Sequence, residues 1–104
     1  MSEKQYRLRI LPLFENDLNE AVDYIVQKLQ NAIAARSLVD AVEAAIYARL
    51  PEAETFAPYP SRRQWAYPYY YIPVKNFSIF YVVIDDVMEV RRFLYAPRDI
   101  DSHI

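Results

Sequence analysis

Between Phe77 and Ile84 the sequence reads Phe-Ser-Ile-Phe-Tyr-Val-Val-Ile, a run without a charge and with one small hydroxyl. Aromatic and β-branched residues suit extended backbone. A strand apolar on both of its alternating faces must be covered on both sides. Lys75-Asn76 precedes it and Asp85-Asp86 follows it, and both pairs are turn chemistry. The neighbouring segments, Tyr67 to Val74 and Val87 to Tyr95, are again rich in aromatic and β-branched residues. The three segments therefore predict an antiparallel meander with 77–84 as its central strand.

The pattern upstream is different. Tyr6, Leu8 and Ile10 alternate with Arg7 and Arg9, which predicts a half-buried strand stopped by Pro12. From Asp17 onward Leu18, Ala21, Val22, Ile25 and Leu29 fall at helical spacing. Glu15, Asp17 and Glu20 lie near that helix's positive N-terminal end, and Asn31 reads as its stop. A second helix is predicted from about Ala32 to Leu50, with Leu38, Val42, Ala45 and Ile46 on one face and Pro51 opposing its continuation. Helices joined so closely form an antiparallel hairpin. Residues 51–66, with Pro51, Pro58 and Pro60, read as an irregular loop. The expected fold is α+β in the order β-α-α-β-β-β: an antiparallel sheet of the late meander plus the N-terminal strand, with the helical hairpin on one face. Residues 1–104 are expected to form a single domain, and the second sheet face is left for a partner.

Composition narrows the function. The chain has no glycine, which rules out phosphate cradles built on Gly-rich loops. It has no cysteine and a single histidine, His103, so neither a disulfide framework nor a zinc site is expected, and no cofactor is expected. No apolar run approaches the roughly 20 residues of a membrane helix, and Met1 to Gln5 lacks the apolar core of a signal peptide. The expected location is the cytoplasm, without a membrane partner. The net charge is −2, against the excess of Lys and Arg usual in nucleic-acid binders. Charge does segregate: residues 1–52 hold 6 basic and 8 acidic side chains, and residues 53–104 hold 6 of each. Arg62, Arg63, Lys75, Arg91, Arg92 and Arg98 form the set of cations able to gather in the second half. Simple alternation places Met88, Val90, Arg92 and Leu94 on one face of the last strand, and Glu89, Arg91, Phe93 and Tyr95 on the other. Trp65, Tyr67, Tyr69, Tyr70 and Tyr71 add an aromatic cluster suited either to strand packing or to an interface.

Several stretches carry a resemblance beyond this pattern. They are Ile79-Phe80-Tyr81, then Arg92, Tyr95, Ala96 and Arg98-Asp99, with Asp17-Leu18-Asn19-Glu20 and Asp23-Tyr24-Ile25 upstream. Together with the element order, they resemble the RelE/ParE superfamily of toxins from bacterial toxin–antitoxin (plasmid stabilisation) modules. The resemblance implies a cytoplasmic growth inhibitor bound by a cognate antitoxin. RelE-like members cleave messenger RNA on the ribosome with Lys and Arg on the sheet and a C-terminal Tyr or His. ParE-like members bind DNA gyrase and have no nuclease site. Here Ser78 stands where the nuclease branch carries an arginine, and Tyr70-Tyr71-Ile72-Pro73 stands where it carries lysines. The resemblance therefore points to a ParE-like, protein-directed toxin rather than an enzyme. The alternatives are a RelE-like ribosome-dependent endoribonuclease acting on messenger RNA, and an inactive binding relative. For nuclease chemistry the candidates are Arg98, Arg92 and His103. For contacts to a target or antitoxin they are Arg62, Arg63, Trp65, Tyr69, Tyr71, Lys75, Arg91, Tyr95 and Arg98.

Arg98 appears in both sets, and its guanidinium suits bidentate capture of a carboxylate or phosphate. Arg98→Ala is expected to weaken partner binding by about 1–3 kcal/mol, as for an interface hot spot. Titration calorimetry against the cognate partner checks this, and an unchanged affinity removes Arg98 from the site.

Overall fold

The computed structural model of the chain describes residues 4–61, 63–96 and 101. Its elements are β1 (Arg7–Ile10), α1 (Pro12–Gln27), α2 (Ala32–Arg49), a 3₁₀ turn (Leu50–Glu52), β2 (Tyr70–Val74), β3 (Phe77–Ile84) and β4 (Val87–Tyr95). The strands lie in the order β1-β4-β3-β2. The meander is antiparallel, as its two turn pairs require. β1 joins it beside β4 but runs parallel to it, with Arg7 opposite Val87 and Ile10 opposite Val90. The sheet is thus mixed rather than wholly antiparallel, because the helical hairpin and two meander turns return the chain to β1 in the same direction. No helix among the described residues is long and apolar enough to cross a membrane.

Local chemistry explains the element ends. α1 opens at Pro12, ahead of Asp17. A proline at the first helical position loses nothing, since that N–H has no partner within the helix. Asn31 does not stop α1; it caps α2, its side-chain oxygen accepting the Ala34 N–H at 3.0 Å. Gln30, Lys75 and Asp85 adopt left-handed φ angles of 50°, 53° and 56°. In a chain without glycine, each such residue costs roughly 1–2 kcal/mol, and each stands at a tight reversal between elements.

β3 is covered on both sides, as its composition demands. Ile79, Tyr81 and Val82 are all 0% exposed. On the helix side Ile79 and Tyr81 pack with Phe14, Leu38, Val42 and Ile46. On the other side Phe80 and Val82 pack with Tyr69, Leu94, Tyr59 and Trp65. The second cover comes from the Pro-rich segment after α2, so the face expected to be open is partly closed by the chain itself.

Simple alternation fails in β4. Phe80 pairs with Arg92, while its neighbour Tyr81 pairs with Val90. Arg91 is therefore the extra residue of a bulge. Beyond it the faces exchange: Met88, Val90 and Phe93 belong to the helix-side core and Leu94 to the other. β1 pairs only as far as Val90, so the next stretch of β4 lacks a neighbouring strand, and α1 supplies a substitute. The Asp17 carboxylate accepts the Phe93 N–H at 3.0 Å and grips Arg92 through Nε at 2.7 Å and Nη2 at 3.2 Å.

The outer edge of β2 is blunted too. The carbonyls of Tyr69, just before β2, and of Tyr71 within it accept the Tyr59 N–H at 2.6 Å and Arg49 at 3.2 Å, and Pro73 presents no donor. At the opposite corner the Glu54 carboxylate accepts Tyr6 at 2.8 Å and Lys4 at 2.9 Å. Burial and this carboxylate push the Tyr6 hydroxyl up to about 12.

The Asp17 joint is the place where the helix layer is fastened to β4. Asp17→Ala is expected to destabilise the fold by about 2–4 kcal/mol, because it removes both charge-assisted bonds from Asp17 to the half-buried Arg92 guanidinium and takes the acceptor from the Phe93 N–H. Urea denaturation followed by circular dichroism measures this, and a variant as stable as wild type would contradict the assignment.

Candidate functional site

The sheet face turned away from the helices carries a continuous polar and aromatic belt. It starts on β1 and β4. Glu89 lies directly opposite Val82 and beside Arg9. One Glu89 oxygen accepts Arg9 at 3.1 Å, and the other accepts Arg91 Nε at 2.8 Å. Arg91 Nη1 then donates to the Tyr69 hydroxyl at 3.0 Å. The Tyr69 ring meets Trp65 edge-on with centroids 5.2 Å apart. Trp65 Nε1 donates to Ser61 Oγ at 2.9 Å, and Ser61 Oγ bonds the Asp101 carboxylate. The Arg63 guanidinium lies 4.3 Å over the Trp65 ring and donates to the Asp101 carbonyl at 3.3 Å.

Glu89 is the electrostatic centre of this belt and is only 7% exposed. Burial works to raise its carboxyl, but hydrogen bonds from Arg91 and Arg9 outweigh that and hold it below the ordinary 4.5. An ionised carboxylate between two guanidiniums orients them and has no proton to give at neutral pH. It also settles the direction of a pH effect. A group whose folded-state pKa is depressed stabilises the fold above its unfolded value, and that stability is lost as pH falls through the lowered value.

The structure gathers Arg63, Trp65, Tyr69 and Arg91 from the expected set into this one belt. Tyr69 is buried beneath it, 2% exposed, so it props the surface rather than forming it. Tyr71 stands next to the belt, 38% exposed, with its ring against Tyr59 at 5.4 Å. Tyr95 and Lys75 lie elsewhere. Tyr95 packs edge-on against Phe77 at 5.8 Å, bordering a groove of about 580 Å³ that Glu20, Tyr24, Leu29 and Phe77 also line. Lys75 sits at the exposed β2–β3 turn. Arg92, a candidate for catalysis, is engaged by Asp17. Arg62, Arg98 and His103 lie outside the described residues. Four belt members were not singled out from the sequence: Arg9, Glu89, Ser61 and Asp101. For Glu89 a signal existed, since an acidic residue two positions from Arg91 in an apolar strand needs a same-face cation.

The comparisons with known proteins agree with this fold. The sequence profile described as the ParE toxin of type II toxin–antitoxin system, parDE, matches residues 8–100, and the chain belongs to this family. Among solved structures the chain is similar to a chain of the chromosomal ParDE toxin–antitoxin system from P. aeruginosa, with a TM-score of 0.73 and 18% identity over 90% of this chain and 98% of that one. It is also similar to a chain of the E. coli DinJ-YafQ toxin–antitoxin complex, with a TM-score of 0.55 and 10% identity over 89% and 94% of the two chains. At such identities these structures speak for the fold, and the family assignment rests on the profile. No curated protein matches the chain.

Glu89→Gln removes the carboxylate but keeps its shape. It is expected to lower stability at neutral pH and to flatten the loss of stability that wild type shows on acidification below about 4.5. Melting temperatures across that range check this. An equally steep acid limb in the variant would mean that Glu89 is not the group responsible.

Proposed function

We propose that the chain is the protein-directed toxin of a type II toxin–antitoxin pair. In this reading it acts in the cytoplasm on a protein target of the DNA gyrase kind and is held inactive by a cognate antitoxin. The observation that carries the reading is the engagement, among the described residues, of the β1 and β4 arginines by carboxylates. Arg9 and Arg91 share Glu89, Arg91 also reaches Tyr69, and Arg92 is gripped by Asp17.

Cleavage of RNA by its own 2′-hydroxyl builds negative charge on phosphorus. It needs preorganised cations aimed at that charge, with an acid and a base in reach. Here Ser78 faces Leu94 across the β3–β4 pair, and Tyr71 and Pro73 occupy β2. These side chains bring no positive charge. What the face does offer is aromatic rings beside arginines, the composition of protein-interface hot spots. The match to the ParE family over most of the chain supports the same direction.

Induced expression of the chain alone is expected to arrest growth. Co-expression of the small reading frame next to its gene is expected to restore growth and to yield a stable complex on purification. Tyr71→Ala, at an exposed ring, is expected to reduce toxicity without loss of soluble protein. Unimpaired growth together with failure of the pair to co-purify would count decisively against the toxin reading.

A further inference from the structure

The helix α2 turns Leu38, Val42 and Ile46 into the core and presents a second stripe to the outside. Ile33, Ser37, Asp40, Ala44 and Tyr47 follow one another in alternating steps of four and three residues, and all five are exposed. That spacing is the seam along which one helix packs against another. Its apolar members are large for a solvated surface: Ile33 is 84% exposed and Tyr47 64%, and Leu29, just ahead of α2, is 58% exposed. A depression of about 500 Å³ lies at the start of the stripe, lined by Ala32, Ile33, Arg36, Ser37 and Asp40. Ser37 and Ala44 are small, which lets a second helix come close.

Charge selects the helix that fits. Arg36 and Glu43 flank the seam on one side, seven residues apart, and Asp40 lies within it. Among the described residues, Arg36, Asp40 and Glu43 make no hydrogen bond or ion pair. A second copy of α2 laid antiparallel, with the two-fold axis between positions 38 and 39, sets Arg36 of each copy against Asp40 and Glu43 of the other. The same register places Ile33 opposite Ala44, Ser37 opposite Asp40, and Tyr47 on the shelf formed by Leu29 and Ile33. A parallel pair would instead set Arg36 against Arg36 and Asp40 against Asp40, which is unfavourable. The stripe is thus complementary to itself under reversal, the property an isologous contact requires.

We propose that α2 is the contact surface of a homodimer, in which two copies of the chain pair antiparallel along this stripe. A seam of roughly four turns buries less than an obligate dimer needs, so the association is concentration-dependent. The belt lies on the sheet face turned away from the helices, and both copies keep it open. The contact needs nothing from the toxin reading, and either can fail without the other.

Sedimentation equilibrium of the isolated full chain from about 1 μM to about 1 mM, the range in which contacts of this size associate, should show monomer and dimer in exchange. Tyr47→Ala and Arg36→Asp should each raise the dissociation constant about tenfold or more, because the two-fold axis applies every change twice. Both positions are exposed, so the melting temperature of the dilute chain should stay as in wild type. An equimolar mixture of Arg36→Asp and Asp40→Arg chains should associate more tightly than either variant alone, since each aspartate at 36 or 40 then meets an arginine of the other copy. A chain monomeric throughout that range, a dimer that Tyr47→Ala leaves intact, or a mixture no tighter than the single variants would overturn the proposal. Capture of a neighbour-encoded protein that is lost in Tyr47→Ala, while the chain alone stays monomeric, would assign the stripe to that protein and overturn the homodimer.

Discussion

A strand without charge, buried on both faces, needs two separate covers, and the architecture of this chain is arranged around meeting that need for β3. The helical hairpin supplies one cover through Phe14, Leu38, Val42 and Ile46. The Pro-rich segment after α2 supplies the other through Tyr59 and Trp65, together with Tyr69 next to β2. Only with both in place is the burial of Ile79, Phe80, Tyr81 and Val82 complete. The third layer is made of aromatic side chains on irregular backbone rather than of a helix.

Two carboxylates then fix what the apolar packing leaves loose. Asp17 carries the helix layer onto the stretch of β4 that β1 does not reach, holding the Phe93 N–H and Arg92 together. Glu89 does the corresponding work on the other face, tying Arg9 of β1 to Arg91 of the bulge. Asp17 offsets the charge of Arg92, and Glu89 holds Arg9 and Arg91 in fixed geometry while leaving that trio one positive charge in excess. The remaining recognition chemistry is aromatic rings and guanidiniums at the surface, which suits a protein partner better than a scissile phosphodiester.

Much of this was legible in the residues themselves. The meander followed from Lys75-Asn76 and Asp85-Asp86 bracketing an apolar run, and the ends of α2 followed from the helical spacing up to Leu50 and from Pro51. Other features were hidden for definite physical reasons. The bulge at Arg91 leaves no mark in an alternating pattern, yet it exchanges the faces of Phe93 and Leu94. The parallel sense of β1 depends on a long return path that local periodicity does not encode. Pro12 carries opposite meanings at a strand end and at a helix start, and only the tertiary path chooses between them. The covering role of Tyr59 and Trp65 was masked because irregular, Pro-rich segments give no periodic sign of which side chains turn inward. The belt was half visible: its arginines and aromatic residues stood out, whereas Glu89, the residue that organises them, did not.

The proposed reading is that the chain acts on a protein target rather than on RNA. The most direct measurement sets purified wild-type chain against two substrates in parallel: plasmid supercoiling by DNA gyrase, and primer extension on ribosome-bound messenger RNA. The account predicts that supercoiling falls as the chain is added while the messenger stays intact. Cuts recurring with codon spacing in the messenger, with supercoiling unaffected, would contradict it.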